Sequence, residues 1–406
     1  MVNAVNGPSN RSLLRGLCRD HLVILLGYAL LTVVMTWPLI AHLDSAVLGP
    51  PGDNLEYVWK VWWFKEALLE RGVSPLYVPD VFYPYGYPLA LSETTMTHTV
   101  LGLPLTALWG EVVSYNIMVG LSFVVSGYGL YLLARDWGCS KGAAFVGGLA
   151  FAFCPYRFAH VGAGHLPLLG TGWIPLSFLG LERLVRRPSP PWAALTGLFY
   201  ALLALSSWYY TLMGLLFGAL YLALRARPWP ERLWRWRLWG NLLLAGLLFG
   251  LLVSPAALPI LRLYERGETG YSYGLAYVDQ WSASPVDFLY PNAMHSWWGA
   301  SLTRGYYQNI NENLLYVGCV TLVLAVMGLW WRRKERLPRV MALLGGIAFV
   351  LALGTTLHFA GEPVYLQVPP VVERWFSKGM YVLTGKLALN KVKYGALRRQ
   401  GAIVLP

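Results

Sequence analysis

The chain has 406 residues, of which 56% are hydrophobic, 15% aromatic and only 13% charged. Soluble domains carry about 25% charged residues, so this composition excludes an ordinary soluble protein and indicates several membrane spans. The net charge of +12 does not indicate a nucleic-acid partner, because the basic residues cluster between apolar runs, as topology signals do. Four cysteines without a CxxC spacing argue against a metal or disulfide framework.

The N-terminal part of the chain predicts one span followed by a long outer loop. Basic residues place residues 1–20 in the cytoplasm, and the apolar run that follows predicts an uncleaved first span at 21–40. The predicted outer loop, residues 41–113, holds eight acidic residues against three basic ones. Within it, the apolar run 97–109 contains Pro104 and is too short to cross a core of about 30 Å, so we expect a half-inserted helix.

The rest of the chain alternates apolar runs with basic interior loops. The runs predict spans at 114–134, 142–154, 166–182, two short spans within 192–224 that meet at an outer break at 206–210, and then 238–260, 314–331 and 340–358. The predicted fold class is therefore an all-α polytopic membrane protein with about nine (eight to eleven) transmembrane helices in residues 21–359.

Two later segments complete the predicted organisation. Residues 262–313 form a second outer loop, rich in tyrosine and tryptophan, that is suited to cover a site. Nine spans place the C-terminal tail, residues 360–406, outside the cell. Its seven basic residues against two acidic ones favour the inside instead, so the side of the tail stays open.

The run Leu55–Arg71 has the amphipathicity of a helix. Charged side chains gather on one side of it, where Glu56 and Lys60 form an i,i+4 pair, and apolar side chains gather on the other. We therefore expect a helix that lies in the membrane interface, with its tryptophan rings at headgroup depth.

Asp53 directly precedes this run, within the stretch Gly-Pro-Pro-Gly-Asp-Asn at 49–54. One interpretation is that Asp53 or Asn54 only caps the first turn of the helix. The functional interpretation is that Asp53 is a base at the outer membrane surface. There it would take a proton from an acceptor hydroxyl as a sugar is transferred.

A stretch rich in tyrosine, glycine and proline, residues 83–88, predicts a rigid aromatic loop. Such a surface suits the C–H face of a sugar ring, and an aromatic belt at the membrane interface explains it as well. Glu93 and His98 follow it as candidate acid/base or substrate-binding groups.

A second group of candidate residues lies at 154–165, at the outer end of the predicted third span. Arg157, His160 and His165 are costly at membrane depth and are therefore functional candidates. Arg157 suits a bidentate contact with a phosphate. The histidines suit phosphate, a metal or helix ends, and because their His-x4-His spacing is not a metal signature, we assign no metal ligand.

Five segments in order suggest a family. They are Gly52-Asp53 with the tryptophan-rich helix, the turn Tyr83–Gly86, the segment Ser114–Arg135, the segment Pro155–Pro175 with both histidines, and Glu312–Gly318. Together they resemble the GT-C superfamily of integral-membrane glycosyltransferases, and among them uncharacterised bacterial relatives of the lipid-linked-sugar-dependent transferases. The resemblance covers roughly residues 20–365.

This resemblance implies a GT-C-like fold and a transferase active site facing outward from the cytoplasmic membrane. A sugar would pass, with inversion, from a polyprenyl-phosphate-linked donor to a glycan, lipid or protein acceptor. Membrane lipids would be further partners, and nucleic acid would not. Asp53 matches the family's catalytic acid, and the expected substrate- or lipid-phosphate-binding residues are Arg157, His160, His165, Glu93 and His98.

The resemblance implies no cofactor with certainty. The family often has a second acid beside the first, and here that neighbour is Asn54, so participation of a divalent metal stays open. Two other functions are alternatives: a transporter or flippase for lipid-linked glycans, and a non-catalytic membrane component of surface-polysaccharide assembly. The chain shows no inverted repeat and few charges inside its predicted spans, which disfavours the transporter.

Overall fold

The computed structural model describes residues 10–226, 235–268, 281–291, 314–354, 357–359 and 362–364. The chain divides into two compact units, Met1–Gly270 and Tyr271–Pro406. The described residues are mostly helical, as the apolar runs predict.

The first unit combines long apolar helices with shorter helices of the outer loop. In chain order these helices are α1 (Asn10–Met35), α2 (Asp53–Lys65), α3 (Met96–Leu101), α4 (Leu103–Trp109), α5 (Glu111–Asp136), α6 (Lys141–Ala152), α7 (Pro155–Ala163), α8 (Trp173–Arg186), α9 (Pro190–Ser206), α10 (Trp208–Arg225) and α11 (Trp236–Glu265). A π-helical turn follows α2 at Glu66–Glu70, and 3-10 segments cover Leu39–His42, Leu89–Leu91 and Leu166–Gly172. Helix α5 is central, because α1, α2, α4, α6 and α8 all contact it.

Three stretches of the described residues are long and apolar enough to cross a membrane. They are α5, the continuous stretch Lys141–Ala163 that contains α6 and α7, and α11. Leucines of α11, among them Leu247 and Leu251, are exposed, as expected of a surface that faces lipid tails. These observations fit an all-α membrane protein, while the number of nine spans and the GT-C-like fold stay predictions.

Several predicted boundaries are confirmed by the helices. Helix α6 ends just before the Cys154-Pro155 step, and α9 and α10 are separated at Ser207, within the predicted break. The short apolar run 97–109 forms two helices, α3 and α4, that meet at Gly102.

The predicted span at 166–182 is wrong as a single helix. Residues Leu166–Gly172 form a 3-10 segment, and only then does α8 begin. Two glycines of this segment pack closely against neighbouring helices. A Cβ at Gly170 would lie 2.4 Å from the Ser206 Cβ, and one at Gly172 would lie 2.8 Å from the Ser126 backbone nitrogen. The segment therefore passes too close to α9 and α5 to carry side chains at these positions.

The predicted helix at 55–71 forms, but the predicted exposed position of Lys60 is wrong. Lys60 and Trp63 are each only 1% exposed, so the face of α2 that carries them packs inside the protein, whereas Leu55 is 54% exposed. That the helix lies in the membrane interface stays a prediction. The Trp63 indole donates to the Pro75 carbonyl oxygen over 2.9 Å, and its ring packs with Phe64, Leu76 and other apolar residues of the outer loop. Sequence periodicity misplaced Lys60 because a buried ammonium with suitable acceptors looks the same on a helical wheel as an exposed one.

The second unit contains two further helices, α12 (Cys319–Trp331) and α13 (Arg336–Ala352), and a two-residue antiparallel pair, β1 (His358–Phe359) with β2 (Glu362–Pro363). In the predicted second outer loop, Asp287 accepts a hydrogen bond from the Ser284 backbone N–H over 2.8 Å and closes a 3-10 turn at Pro285–Phe288. Most of that loop and most of the tail 360–406 lie outside the described residues.

Candidate functional site

The loop before α2 is held in place by the Asn54 side chain. Asn54 is fully buried, and its amide nitrogen donates to the carbonyl oxygens of Leu48 and Pro50 over 3.1 and 3.0 Å. Its Oδ1 accepts from the backbone N–H groups of Gly52 and Leu55 over 3.0 and 2.9 Å. The capping interpretation is therefore wrong for both candidates. The residue before α2 is Gly52, no side chain caps this helix, and Asn54 fixes the loop instead.

This loop rests directly on the turn after α7. Gly164 has φ +81°, and a Cβ there would lie 2.1 Å from the Asn54 backbone nitrogen. On the other side, a Cβ at Gly49 would lie 2.0 Å from the Gly162 carbonyl oxygen. Both glycines thus allow two backbone segments to touch, which brings residues far apart in sequence to one place.

At this contact Asp53 meets His165, which in turn meets His160. His165 Nε2 lies 3.3 Å from Asp53 Oδ2, and His165 Nδ1 lies 2.8 Å from His160 Nδ1. Exposure falls from Asp53 to His165 to His160: the Asp53 side chain is 54% exposed, that of His165 is 18% exposed, and His160 is buried. A carboxylate open to solvent is therefore backed by two imidazoles that lead into the protein.

The inner imidazole is in turn held by aromatic residues. The rings of Tyr156 and His160 meet edge to face with their centroids 4.3 Å apart. The hydroxyls of Tyr156 and Tyr210 lie 3.0 Å apart, and the Tyr210 hydroxyl donates to the Leu168 carbonyl oxygen over 2.7 Å. This packing fixes the plane of the His160 ring.

Arg157 lies deeper, with a side chain only 1% exposed. Its guanidinium donates to the Leu169 carbonyl oxygen and the Ser122 hydroxyl over 2.8 Å each, and also to the Thr171 hydroxyl. The guanidinium carbon lies 4.6 Å from the centre of the Phe123 ring. Within the part of the chain that the structure describes, Nε has no hydrogen-bond partner and no carboxylate pairs with Arg157. It is thus a buried positive charge surrounded by neutral groups.

His98 lies in the same buried layer and not at the surface. Its Nδ1 lies 2.6 Å from the Thr95 hydroxyl. Burial, and then the charge of Arg157, lower the pKa of His98 from 6.5 to about 3, so this imidazole is neutral at physiological pH. His98 is therefore a neutral, buried histidine held by a threonine, and its role in substrate binding stays a prediction.

Glu93 lies at the break between α9 and α10. Its carboxylate accepts from the Ser207 hydroxyl over 3.0 Å and from the Trp208 backbone N–H over 3.3 Å, and so closes the start of α10. Burial raises the pKa of Glu93, whereas these two hydrogen bonds and the charge of Lys60 act in the opposite direction. The carboxylate also borders a small recess lined by Thr94, Ser206 and their neighbours.

Lys60 connects α2 to the Glu93 segment. Its ammonium donates to the Ser92 hydroxyl and the Glu93 carbonyl oxygen over 2.8 Å each, and pairs with Glu56 at 2.6 Å. Burial lowers the pKa of Lys60, and the contact with Glu56 opposes this shift. Tyr57, one turn before it, has a raised pKa, first from burial and then from the charges of Glu93, Glu56 and Asp53. Tyr57 also belongs to the buried apolar cluster that contains Tyr115 and Val161.

Sequence reasoning found Asp53, His160 and His165 but missed the residues that assemble them. Asn54 and Gly164 place Asp53 against His165. The hydroxyls of Ser122 and Thr171 accept hydrogen bonds from Arg157. The stretch Gly-Pro-Pro-Gly-Asp-Asn did contain a signal, because asparagine next to glycine and proline is typical of side-chain-stabilised turns. Nothing local in the sequence indicates the contact with Gly164.

Among the residues that the structure describes, no three histidine, cysteine, aspartate or glutamate side chains are arranged to hold a metal ion. The Asp53 carboxylate and the His165 Nε2 are two neighbouring groups of the kind that bind metals. The other ring nitrogen of His165, Nδ1, faces His160. Comparison of the chain with family models, with curated proteins and with solved structures found no match.

Proposed function

We propose that this protein is an integral-membrane glycosyltransferase of GT-C type. It would transfer a sugar from a polyprenyl-phosphate-linked donor to an acceptor hydroxyl at the outer face of the cytoplasmic membrane. One observation carries the proposal: Asp53, the residue selected from sequence as the base, is solvent-exposed and lies 3.3 Å from His165. An exposed carboxylate backed by an imidazole is an arrangement suited to general base catalysis.

In the proposed reaction the acceptor oxygen attacks the anomeric carbon of the sugar. Asp53 takes the proton of the acceptor hydroxyl while the new glycosidic bond forms. The bond between the anomeric carbon and the phosphate oxygen breaks, and the lipid phosphate leaves with the electron pair. The proton then passes from Asp53 to His165, because the two groups are adjacent.

Arg157 has a different part in this proposal from the one that its residue type first indicates. Its N–H groups already donate to Ser122, Thr171 and Leu169, so a bidentate contact with phosphate would require those bonds to break. Its charge, however, has no carboxylate partner in the described part of the chain. We therefore assign Arg157 a stabilising effect on the departing phosphate through its positive potential in a low-dielectric interior.

The proposal is tested by incubating the purified protein with radiolabelled polyprenyl-phosphate sugars and extracted cell-envelope acceptors. We expect wild type to transfer one of these sugars and Asp53→Asn to transfer it at least about 100-fold more slowly, the typical contribution of a general base. Asp53→Asn with the rate of wild type would refute the base assignment.

A flux assay in proteoliposomes separates this function from the transporter alternative. Movement of a lipid-linked glycan across the bilayer, with no new glycosidic bond, would favour the transporter. Binding without either movement or bond formation would favour the assembly component. We expect bond formation.

A further inference from the structure

The tip of the loop at 82–85 exposes aromatic side chains to an unusual degree. Phe82, Tyr83 and Tyr85 are 71%, 82% and 86% exposed. Large apolar groups that cluster on a surface mark sites of interaction. None of the three takes part in the proposed chemistry at Asp53.

This tip is held rigidly by its base. Val78 and Tyr87 exchange two backbone hydrogen bonds of 2.8 Å, and the Tyr85 backbone N–H donates to the Phe82 carbonyl oxygen over 3.0 Å. The Tyr77 hydroxyl donates to the Tyr85 carbonyl oxygen over 2.8 Å. Gly86 makes room for this hydroxyl, since a Cβ at that position would lie 2.0 Å from it. The aromatic rings are thus presented in a fixed arrangement rather than exposed by chance.

The base of the tip packs on one end of a candidate membrane span. Leu76, Val78 and Leu89 share a hydrophobic cluster with Ile260 and Leu263 of α11. Helix α11 has 30 residues, and at about 1.5 Å per residue it exceeds the roughly 30 Å of a hydrocarbon core.

The position along α11 gives the depth of the contact. The uncharged stretch of the helix ends before Arg262, so Ile260 and Leu263 lie where the helix leaves the hydrocarbon. Leu258, Leu261 and Tyr264, on the same final turns of α11, are exposed. The apolar surface that faces lipid along α11 therefore continues to the level of the loop.

We infer that Phe82, Tyr83 and Tyr85 insert into the headgroup layer of the outer leaflet and dock the outer loop on the membrane. Phenol rings favour this layer, because their apolar body and polar hydroxyl match the two sides of the interface. The carboxylate nearest the tip in sequence, Asp80, is paired with Arg71 at 2.9 Å, which lowers the cost of bringing it to the headgroup layer. The docked loop holds the far end of α2 and so fixes the height of Asp53 above the bilayer.

The inference is tested by spin labels on the full-length protein in phospholipid vesicles. The four native cysteines are replaced by serine, and single cysteines are introduced as Tyr83→Cys or Tyr85→Cys. Both side chains are exposed, so we expect each substitution to change stability little. Leu251→Cys, on the exposed middle of α11, provides the matched label within the hydrocarbon. Collision rates with oxygen and with a water-soluble nickel chelate give the depth of each label, calibrated with phospholipids labelled at the headgroup.

We expect both tip labels at headgroup depth, with several-fold lower access to the nickel chelate than a spin label that is free in water. The label at Leu251→Cys should lie deeper than both. Tip labels with full access to the chelate would overturn the inference. Chelate access that falls only when a mixture of glucose and mannose oligosaccharides is added would also overturn it, and would identify the tip as a glycan-binding surface. Neither result depends on whether the protein transfers sugar.

Discussion

Two groups of ionisable residues in the first unit have opposite surroundings. Asp53 is open to solvent and pairs with His165 at 3.3 Å. Arg157, His98 and Lys60 are buried, and their partners are hydroxyls, backbone carbonyls and, for Lys60, the Glu56 carboxylate. The difference separates groups that can exchange partners during a reaction from groups whose partners are fixed by folding.

Because of this difference, we expect substitutions in the two groups to change the free energy of unfolding by different amounts. Loss of a buried donor leaves its acceptors without partners in a medium that cannot replace them, which destabilises the fold. Loss of an exposed carboxylate leaves water in its place and hardly changes stability. If Asp53 is catalytic, its substitution separates activity from stability, and substitution in the buried layer does not.

The largest effect is expected for Arg157→Lys. Lysine keeps the charge but cannot reach the Ser122, Thr171 and Leu169 acceptors together, since it lacks the planar fork of arginine. We predict a loss of about 3–5 kcal/mol in the free energy of unfolding, measured by titration with SDS in mixed micelles. Arg135→Lys, on an exposed arginine, is the control and should change stability by less than about 0.5 kcal/mol. Equal effects of the two substitutions would show that the Arg157 contacts contribute no stability.

Gly164→Ala tests the contact between the loop and α7. The new Cβ would meet the Asn54 backbone nitrogen at a position whose φ of +81° already disfavours alanine. We expect a loss of about 2–4 kcal/mol, together with reduced activity because Asp53 moves from His165. Gly162→Ala, two residues earlier and with nothing near the added Cβ, should not lower stability and should leave activity unchanged.

The neighbours Asp53 and Asn54 give the sharpest contrast in one dipeptide. Asn54→Asp removes both N–H donors to Leu48 and Pro50 and turns a carboxylate toward two carbonyl oxygens, so we expect a loss of about 1–3 kcal/mol. Asp53→Asn is nearly isosteric and exposed, and its thermal midpoint should match wild type. A destabilised Asp53→Asn beside a stable Asn54→Asp would reverse the assignment of the two residues.

A smaller effect is expected for the pH dependence of stability at His98. The folded-state pKa of about 3 lies below the ordinary 6.5, so between these values the unfolded state binds a proton that the folded state does not. The stability that the neutral, buried His98 allows is therefore fully present above pH 6.5 and is lost as the pH falls toward 3. We predict that the thermal midpoint of His98→Gln falls less than that of wild type between about pH 7.5 and pH 5. Identical declines would contradict the burial of a neutral imidazole.

Much of the first unit could be predicted from apolar runs and helix-breaking residues. The bounds of α5, α6 and α9 and the break at Ser207 follow from local sequence, because proline, serine and glycine interrupt helices there. The environment of Lys60 could not be predicted, since it depends on Ser92 and Glu93, more than thirty residues away.

In the candidate site, too, some features could be predicted from the sequence and others could not. Asp53, His160 and His165 could be chosen by residue type and by their predicted side of the membrane. That they touch depends on Gly49 and Gly164, whose missing side chains permit a contact between distant segments. The burial of His98 could not be predicted either, because the sequence does not show that Thr95 holds the ring or that the charge of Arg157 acts on it.

The central claim is that Asp53 and His165 act as one unit in sugar transfer. The most direct measurement is a double-mutant cycle of transfer rates with wild type, Asp53→Asn, His165→Asn and the double variant, at equal amounts of folded protein. We predict that the double variant is no slower than Asp53→Asn, because the imidazole has no function once the carboxylate is absent. Independent, multiplicative losses would contradict the account, and so would Asp53→Asn that transfers sugar at the wild-type rate.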